Sequence, residues 1–243
     1  MSKDIINICS IFNSIDGEVN GTGGAGGFTT FIRFGGCNLR CKDCDTKYAF
    51  ETYKSMSIPQ IVQEVKAIAL NRRITITGGE PLMQPTGLYR LMEELVKPVA
   101  YSISIETNGS YNIKGLVEKG VQKSIVLDIK TPASRMNTAM IYDNLTHLST
   151  NDWVKFVIYD EEDFDWVWAF ILKHEGYFSF PFNIALSPAH NIVAPKDLVK
   201  WLQRGAFQTP PSSYLLDILD RTKVQIQLHK YIWPELANSS VEV

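Results

Sequence analysis

Short runs rich in Val, Ile, Thr and Phe return along the whole chain, separated by stretches of helical periodicity. Strand positions favour those residues, so strands are predicted at 29–34, 74–77, 102–106, 125–129, 154–159, 183–186 and 224–228. Helices are predicted at 58–70, 88–96, 113–119, 164–174 and 195–204. The first helix follows Ser57, carries Pro59 in its opening turn, and repeats Ile61, Val65 and Ile68 on one face. Alternation of this kind builds βαβ units on a parallel sheet that receives ligands at the carboxyl ends of its strands. A closed eight-unit barrel takes about 250 residues, more chain than the 243 residues present. The expected fold is α/β, an open partial (β/α)6-like barrel with a mostly parallel sheet. Residues 1–243 are expected to form a single domain, with 237–243 as a loose tail.

At 45% hydrophobic composition the chain can bury one sizeable core. Its 24 basic and 26 acidic residues nearly cancel, which argues against a nucleic acid or an anionic membrane as partner. Residues 1–12 lack the charged and apolar regions of a signal peptide. No apolar run approaches the roughly 20 residues that cross a bilayer. A soluble, cytoplasmic protein is expected.

Of the four cysteines, Cys37, Cys41 and Cys44 fall within one CxxxCxxC stretch directly after a predicted strand. A disulfide there would close a tiny loop, so clustered cysteines in a cytosolic protein point to metal or redox chemistry. Three thiolates on one loop can hold three corners of an iron–sulfur cubane and leave the fourth iron open, the condition for catalysis. A zinc site is the other reading, but it usually shows paired CxxC spacings. Here there is one CxxC, and the histidines, 147, 174, 190 and 229, are distant. Cys9 belongs to an apolar, strand-like run and reads as a small buried hydrophobe. Gly21, Gly23 and Gly26 match a dinucleotide-binding fingerprint in letters only. That motif follows a strand and opens a helix, whereas here a strand-like run comes after, so residues 21–27 read as a flexible loop.

The CxxxCxxC stretch, with Thr77-Gly78-Gly79-Glu80-Pro81 after the second predicted strand, resembles the signature of the radical S-adenosylmethionine (SAM) superfamily and its GGE motif. Glycines there would suit any tight turn; Glu80-Pro81 would have no role in that reading. Over most of its length the chain is similar to the 7-carboxy-7-deazaguanine synthase family. The similarity runs through Ser14-Ile15-Asp16-Gly17-Glu18 (the family's S-x-QGE), Phe31-Ile32-Arg33, Cys44-Asp45-Thr46-Lys47-Tyr48, Ser104-Ile105-Glu106-Thr107-Asn108-Gly109, Asp128-Ile129-Lys130-Thr131-Pro132 and Gln227-Leu228-His229-Lys230-Tyr231-Ile232-Trp233. The resemblance implies a lyase of queuosine and other 7-deazapurine biosynthesis. SAM is cleaved to a 5′-deoxyadenosyl radical, hydrogen leaves C6 of 6-carboxy-5,6,7,8-tetrahydropterin, the ring contracts, ammonia departs, and SAM is regenerated.

By the same resemblance a [4Fe–4S] cluster rests on Cys37, Cys41 and Cys44, and Mg²⁺ on Thr46. Asp43, Cys44, Asp45, Gly78, Gly79, Glu80, Glu106, Asp128, Ile129, Lys130 and the turn Ser187-Pro188-Ala189-His190 are implied for SAM. Ile15, Asp16, Gly17, Glu18, Arg33, Thr77 and His229 are implied for the pterin. A guanidinium at Arg33 suits the carboxylate of that substrate, and a hydroxyl at Thr46 suits a hard cation. Locally, Arg33 could equally be a surface strand-end arginine, Thr46 a turn residue and His229 an ordinary strand-end histidine. A homodimer and an electron donor such as flavodoxin or ferredoxin are also implied. Departures are Asp16 for glutamine, an enlarged 21–27 loop, Ser187 for glutamine, and a longer tail beyond Trp233. Two other readings stay open: a radical SAM activase of glycyl-radical enzymes, and a non-catalytic iron–sulfur or zinc module.

Overall fold

A computed structural model of the chain describes residues 4–119, 123–210 and 212–236; the expected loose tail, 237–243, lies outside the described residues. Among the described residues nine strands form one sheet: β1 Ile5–Ile15, β2 Phe28–Phe34, β3 Lys54–Ser57, β4 Arg73–Gly78, β5 Ser102–Thr107, β6 Lys123–Asp128, β7 Trp153–Ile158, β8 Asn183–Pro188 and β9 Thr222–Val224. Their order is β3-β1-β2-β4-β5-β6-β7-β8-β9, so the sheet is open, with β3 and β9 at its edges. From β2 onward every neighbouring pair runs parallel, while β1 pairs antiparallel with both β2 and β3. The open, mostly parallel sheet matches the expected class.

Among the described residues eight α-helices accompany the sheet: α1 Ile58–Ile68, α2 Pro85–Val99, α3 Lys114–Glu118, α4 Glu161–Lys173, α5 Glu175–Phe178, α6 Pro195–Gln208, α7 Ser213–Arg221 and α8 Leu228–Ile232. Local chemistry starts several of them. Gln60 Oε1 receives both the backbone N–H and the hydroxyl of Ser57 at 2.8 Å, with Pro59 in the first turn of α1. The Asp160 carboxylate accepts from Asp163 N at 2.7 Å before α4, and Ser212 Oγ accepts from Leu215 N at 3.1 Å before α7.

Strand alternation decides what each face of the sheet meets. In the run Arg73-Ile74-Thr75-Ile76-Thr77, Ile74 and Ile76 turn outward beneath the helices and Thr75 and Thr77 turn inward. Ile103 and Ile105, Ile125 and Leu127, Val154 and Phe156, and Ile184 and Leu186 continue the outer row, each at most 1% exposed and all part of one apolar cluster. Burying each such side chain stabilises the fold by about 1.5–3 kcal/mol. The inner row is polar: Thr75, Thr77, Ser104, Glu106, Ser124, Asp128, Lys155 and Ser187. Its floor is apolar, where Val19, Val126, Trp153 and Ala185 pack together.

Two expectations need correction. The predicted strand 224–228 is strand only to Val224, and Leu228 opens α8, so His229 is a helical residue. The antiparallel β1, the short β3 and the helices α5 and α7 were outside the predicted elements. The 21–27 loop behaves as read: the strand β2 follows it, not a helix.

Candidate active site

The inner row opens at the carboxyl ends of the parallel strands into a cavity of about 610 Å³. Cys37, Cys41 and Cys44 line one wall, on the loop that leaves β2. Neighbouring loops hold this loop by its backbone. Gly79 N donates to Phe34 O at 2.9 Å and Glu80 N to Gly36 O at 2.8 Å. A Cβ on Gly79 would stand 1.9 Å from Gly36 O, and one on Gly78, whose φ is +133°, 2.2 Å from Phe34 O. The glycine pair is thus required by the close passage of two backbones. Lys42 N donates to Ser134 O at 3.2 Å, and Asn108 Nδ2 reaches Asn38 Oδ1 at 3.1 Å and Cys37 Sγ at 3.7 Å.

Glu80 is fully buried. Its Oε1 accepts from Leu82 N at 2.9 Å and Thr107 Oγ1 at 2.8 Å, and its Oε2 from Asn108 N at 2.7 Å. The expected cofactor ligand is therefore also the clamp between the loops after β4 and β5. Oε2 keeps room for one further donor.

Beside the cysteines a chain of charges begins. Lys155 Nζ meets Glu18 Oε2 at 2.5 Å and Asp128 Oδ2 at 3.3 Å, and Lys130 Nζ meets the same Asp128 oxygen at 3.0 Å. Gln227 Nε2 donates to Glu18 Oε1 at 2.6 Å. Burial alone would neutralise these groups, but the pairing wins. Against burial, Lys155 holds Glu18 below the usual carboxylate range, and Lys130 with Lys155 does the same for Asp128. Against burial again, Glu18, Asp128 and Glu106 keep Lys155 firmly charged, and Asp128 and Cys41 do so for Lys130. Glu106 is pushed up by burial first and then by Glu18, against the pull of Lys155, Thr77 and Arg33; its Oε2 accepts from Thr77 Oγ1 at 2.6 Å.

The C-terminal segment closes one side. Leu228 N donates to Gly17 O at 3.0 Å, the His229 ring lies against Gly17, and Lys230 Nζ meets Asp45 Oδ2 at 3.1 Å. That lysine overcomes the effect of burial and brings the Asp45 pKa down to about 2. Burial lowers the pKa of both His229 and His190, leaving neutral imidazoles at neutral pH. The Arg33 guanidinium lies over the Phe12 and Tyr48 rings at 5.6 and 6.0 Å.

Nearly all residues singled out from sequence line this cavity: Ile15, Asp16, Gly17, Glu18, Arg33, Asp43, Asp45, Thr46, Thr77, Glu106, Asp128, Lys130, Ala189, His190 and His229 among them. Ile129, Ser187 and Pro188 do not. Ile129 turns to the outer core, and Ser187 and Pro188 are covered within β8. Lys155, Gln227 and Lys230 were missed as site residues. The signal for Lys155 was one lysine inside the apolar strand Trp153-Val154-Lys155-Phe156-Val157-Ile158.

The residues present suit the groups the sequence implied. The three cysteines carry free, partly buried thiols on one wall. Burial raises the Cys37 and Cys41 thiols, and Lys130 opposes that at Cys41; bound iron would displace the proton in any case. No group of three His, Cys, Asp or Glu is gathered for a single ion among the described residues. In the same cavity wall Asp128 Oδ1 and His190 Nδ1 are buried without a hydrogen-bond partner. Such orphans ask for a ligand.

The sequence profile of the Radical SAM superfamily matches residues 31–158. The chain is 33% identical to a 7-carboxy-7-deazaguanine synthase of Koribacter versatilis, over 94% of this chain and 97% of that one. It is 32% identical to the one of Clostridium acetobutylicum, over 89% and 92%. Among solved structures, Streptococcus suis SuiB bound to precursor peptide SuiA shares the fold, with a TM-score of 0.53 at 14% identity, over 86% of this chain and about half, 51%, of that one. Cysteine loop, glycine-glutamate loop and polar inner row fall within or beside a match that spans nearly the whole length of these relatives, and the chain belongs to the 7-carboxy-7-deazaguanine synthase family of the radical SAM superfamily.

Proposed function

We propose that this chain converts 6-carboxy-5,6,7,8-tetrahydropterin to 7-carboxy-7-deazaguanine with release of ammonia. The observation that carries the reading is the meeting, in one cavity, of the three-cysteine loop with a row of charged groups fit for a small anionic heterocycle. When bound, the cluster and SAM supply the radical that takes hydrogen from C6 of the pterin; the protein orients and shields.

Cys37, Cys41 and Cys44 hold the cluster. Asp128 Oδ1 and the free lone pair of Glu80 Oε2 are acceptors for the polar groups of SAM, with Asp43, Asp45, Lys130 and the Ala189–His190 backbone around them. Arg33 takes the substrate carboxylate in a two-pronged ion pair, its guanidinium carbon lying over the Phe12 and Tyr48 rings. The Thr46 hydroxyl, with Asp45 Oδ1 at 3.4 Å, completes a hard-oxygen site for Mg²⁺ with that carboxylate. Lys155 ties the substrate turn at Glu18 to the SAM side at Asp128, so both subsites keep one geometry. Neutral His229, held against Gly17, closes the pterin pocket. A cytoplasmic homodimer that takes its electron from a flavodoxin or ferredoxin belongs to the same reading; no helix among the described residues is long and apolar enough to cross a membrane.

The test is anaerobic incubation with SAM, a reductant and carboxytetrahydropterin, the product being identified by mass. Formation of 7-carboxy-7-deazaguanine in large excess over free 5′-deoxyadenosine is expected. An intact, reducible, SAM-binding protein that yields no deazaguanine overturns the assignment.

A further inference from the structure

Asp16 stands just beyond β1, where the family pattern S-x-QGE has glutamine, and its side chain is 4% exposed on the cavity wall. Its backbone is pinned by the enlarged loop: Asp16 N donates to Gly27 O and Gly26 N to Asp16 O, both at 2.7 Å. One carboxyl oxygen, Oδ2, receives two donors. Asn20 Nδ2 reaches it at 2.5 Å and Thr75 Oγ1 at 2.8 Å. The amide is not free to flip, because Asn20 Oδ1 accepts from the backbone N–H groups of Thr22, Gly23 and Gly24. Thr75 has a single hydroxyl proton, so Thr29, 3.1 Å away, must donate to Thr75 in turn. Both side-chain donors are therefore aimed at Oδ2, as at the carbonyl of a carboxamide, and the backbone N–H of Glu18 also donates to the carboxyl group.

Electrostatics disfavour a second negative charge at this place. Asp16 forms no ion pair among the described residues, unlike Glu18, Asp45 and Asp128, each of which meets a lysine. The other charged or titratable groups lining the cavity around it include Glu18 in its own turn, Arg33 on β2, Glu106 on β5, Asp128 and Lys130 at β6, Lys155 on β7 and His229 on α8. Burial first, then Glu106 and the Glu18 carboxylate, push the Asp16 carboxyl up to about 8, while the hydrogen bonds from Thr75 and from the Glu18 backbone pull the other way.

We propose that Asp16 acts as a neutral carboxylic acid in place of the family's glutamine, donating its O–H to an acceptor on the bound pterin, so that its ionisation sets an alkaline limit on substrate binding. An acid kept neutral by its surroundings is a competent hydrogen-bond donor. The inference rests on the pterin reading above. It adds that this chain reads the substrate with a group that titrates, where a glutamine would not.

The test measures KM and kcat of the holoenzyme for carboxytetrahydropterin from pH 6.5 to 9.5, in the wild type, Asp16→Gln and Asp16→Asn. Loss of one proton predicts a wild-type KM that rises by about tenfold per pH unit above the transition, with kcat following its own profile. Both amide variants lose that limb, whatever their absolute KM. An unchanged alkaline limb in both amides, or a wild-type KM that instead rises toward acid, overturns the inference. Infrared difference spectra of the holoenzyme between pH 7 and 9.5 give a reading independent of turnover. A carboxylic-acid carbonyl band lost on ionisation in the wild type and missing from Asp16→Asn supports the neutral acid, and identical spectra refute it. Absence of any deazaguanine product would instead strike the assigned reaction, leaving the infrared result to decide the state of Asp16.

Discussion

The two faces of the parallel sheet are made from the same strands and obey opposite rules. Outward, Ile74, Ile76, Ile103, Ile105, Ile125, Leu127, Val154 and Phe156 lie at or below 1% exposure under the helices. Inward, Thr77, Glu106, Asp128 and Lys155 face the open lumen with a hydroxyl, carboxylates and an ammonium. Parallel strands buried on both faces usually read as continuous apolar runs; here they alternate, and the alternation marks a sheet that keeps one face for chemistry. Stability is concentrated outside and reactivity inside, and the division can be tested one residue at a time.

The largest effect belongs to the inner rim. Cys41→Ala, like Cys37→Ala or Cys44→Ala, is expected to abolish iron binding and all product formation, while the apoprotein melts near the wild-type temperature. Cys9→Ala should spare both properties, since Cys9 is on β1 and does not line the cavity. Cluster loss in Cys9→Ala with retention in Cys41→Ala would sink the ligand assignment.

Lys155→Met should blur the division. It removes the common partner of Glu18 and Asp128, and leaving buried charges uncompensated costs about 3–5 kcal/mol. Chemical denaturation should show a fall of that size together with a loss of turnover. A variant as stable as the wild type would mean that the inner charges do not support one another. Ile105→Ala, on the outer face, should lose about 2–5 kcal/mol yet keep the turnover number of its folded fraction. A change in substrate KM would show the faces to be coupled.

The smallest effect concerns Asp16. Its pKa is raised from 3.8 to about 8 in the folded chain, so the native state binds this proton more tightly than the unfolded state. Linkage then lowers wild-type stability as pH climbs from about 4 to about 8, with the whole penalty present above that. Asp16→Asn lacks the penalty, and its melting temperature relative to the wild type should be higher at pH 9 than at pH 6. An equal difference at both values would show that Asp16 does not carry the shift.

Much of this was legible because period-two alternation is explicit in Arg73-Ile74-Thr75-Ile76-Thr77 and Ser102-Ile103-Ser104-Ile105-Glu106. The cysteine spacing and Gly-Gly-Glu-Pro carried the rest of the candidate site. Strand β1, noticed only as the strand-like run around Cys9, was passed over because it joins the sheet antiparallel, outside the βα rhythm, although Ile6 and Ile8 already alternate as a strand should. Val224-Gln225-Ile226-Gln227-Leu228 shows the opposite failure. Its alternation is real, with Gln225 buried and Gln227 turned onto Glu18, but the backbone leaves the sheet after Val224 and crosses the cavity. The structural share of Glu80 was hidden for another reason: its donors, Leu82, Thr107 and Asn108, come partly from a distant loop. Helix α7 announced itself through Ser212, Leu215 and Ile218, a cap and a stripe too short to stand out behind Pro210.

The measurement that bears most directly on the central claim follows one hydrogen atom. Substrate deuterated at C6 is turned over anaerobically, and both SAM and product are recovered and weighed by mass spectrometry. The account predicts deuterium in the recovered SAM and many molecules of 7-carboxy-7-deazaguanine for each 5′-deoxyadenosine released. Unlabelled SAM, with 5′-deoxyadenosine accumulating in step with SAM consumed and no deazaguanine formed, would contradict it.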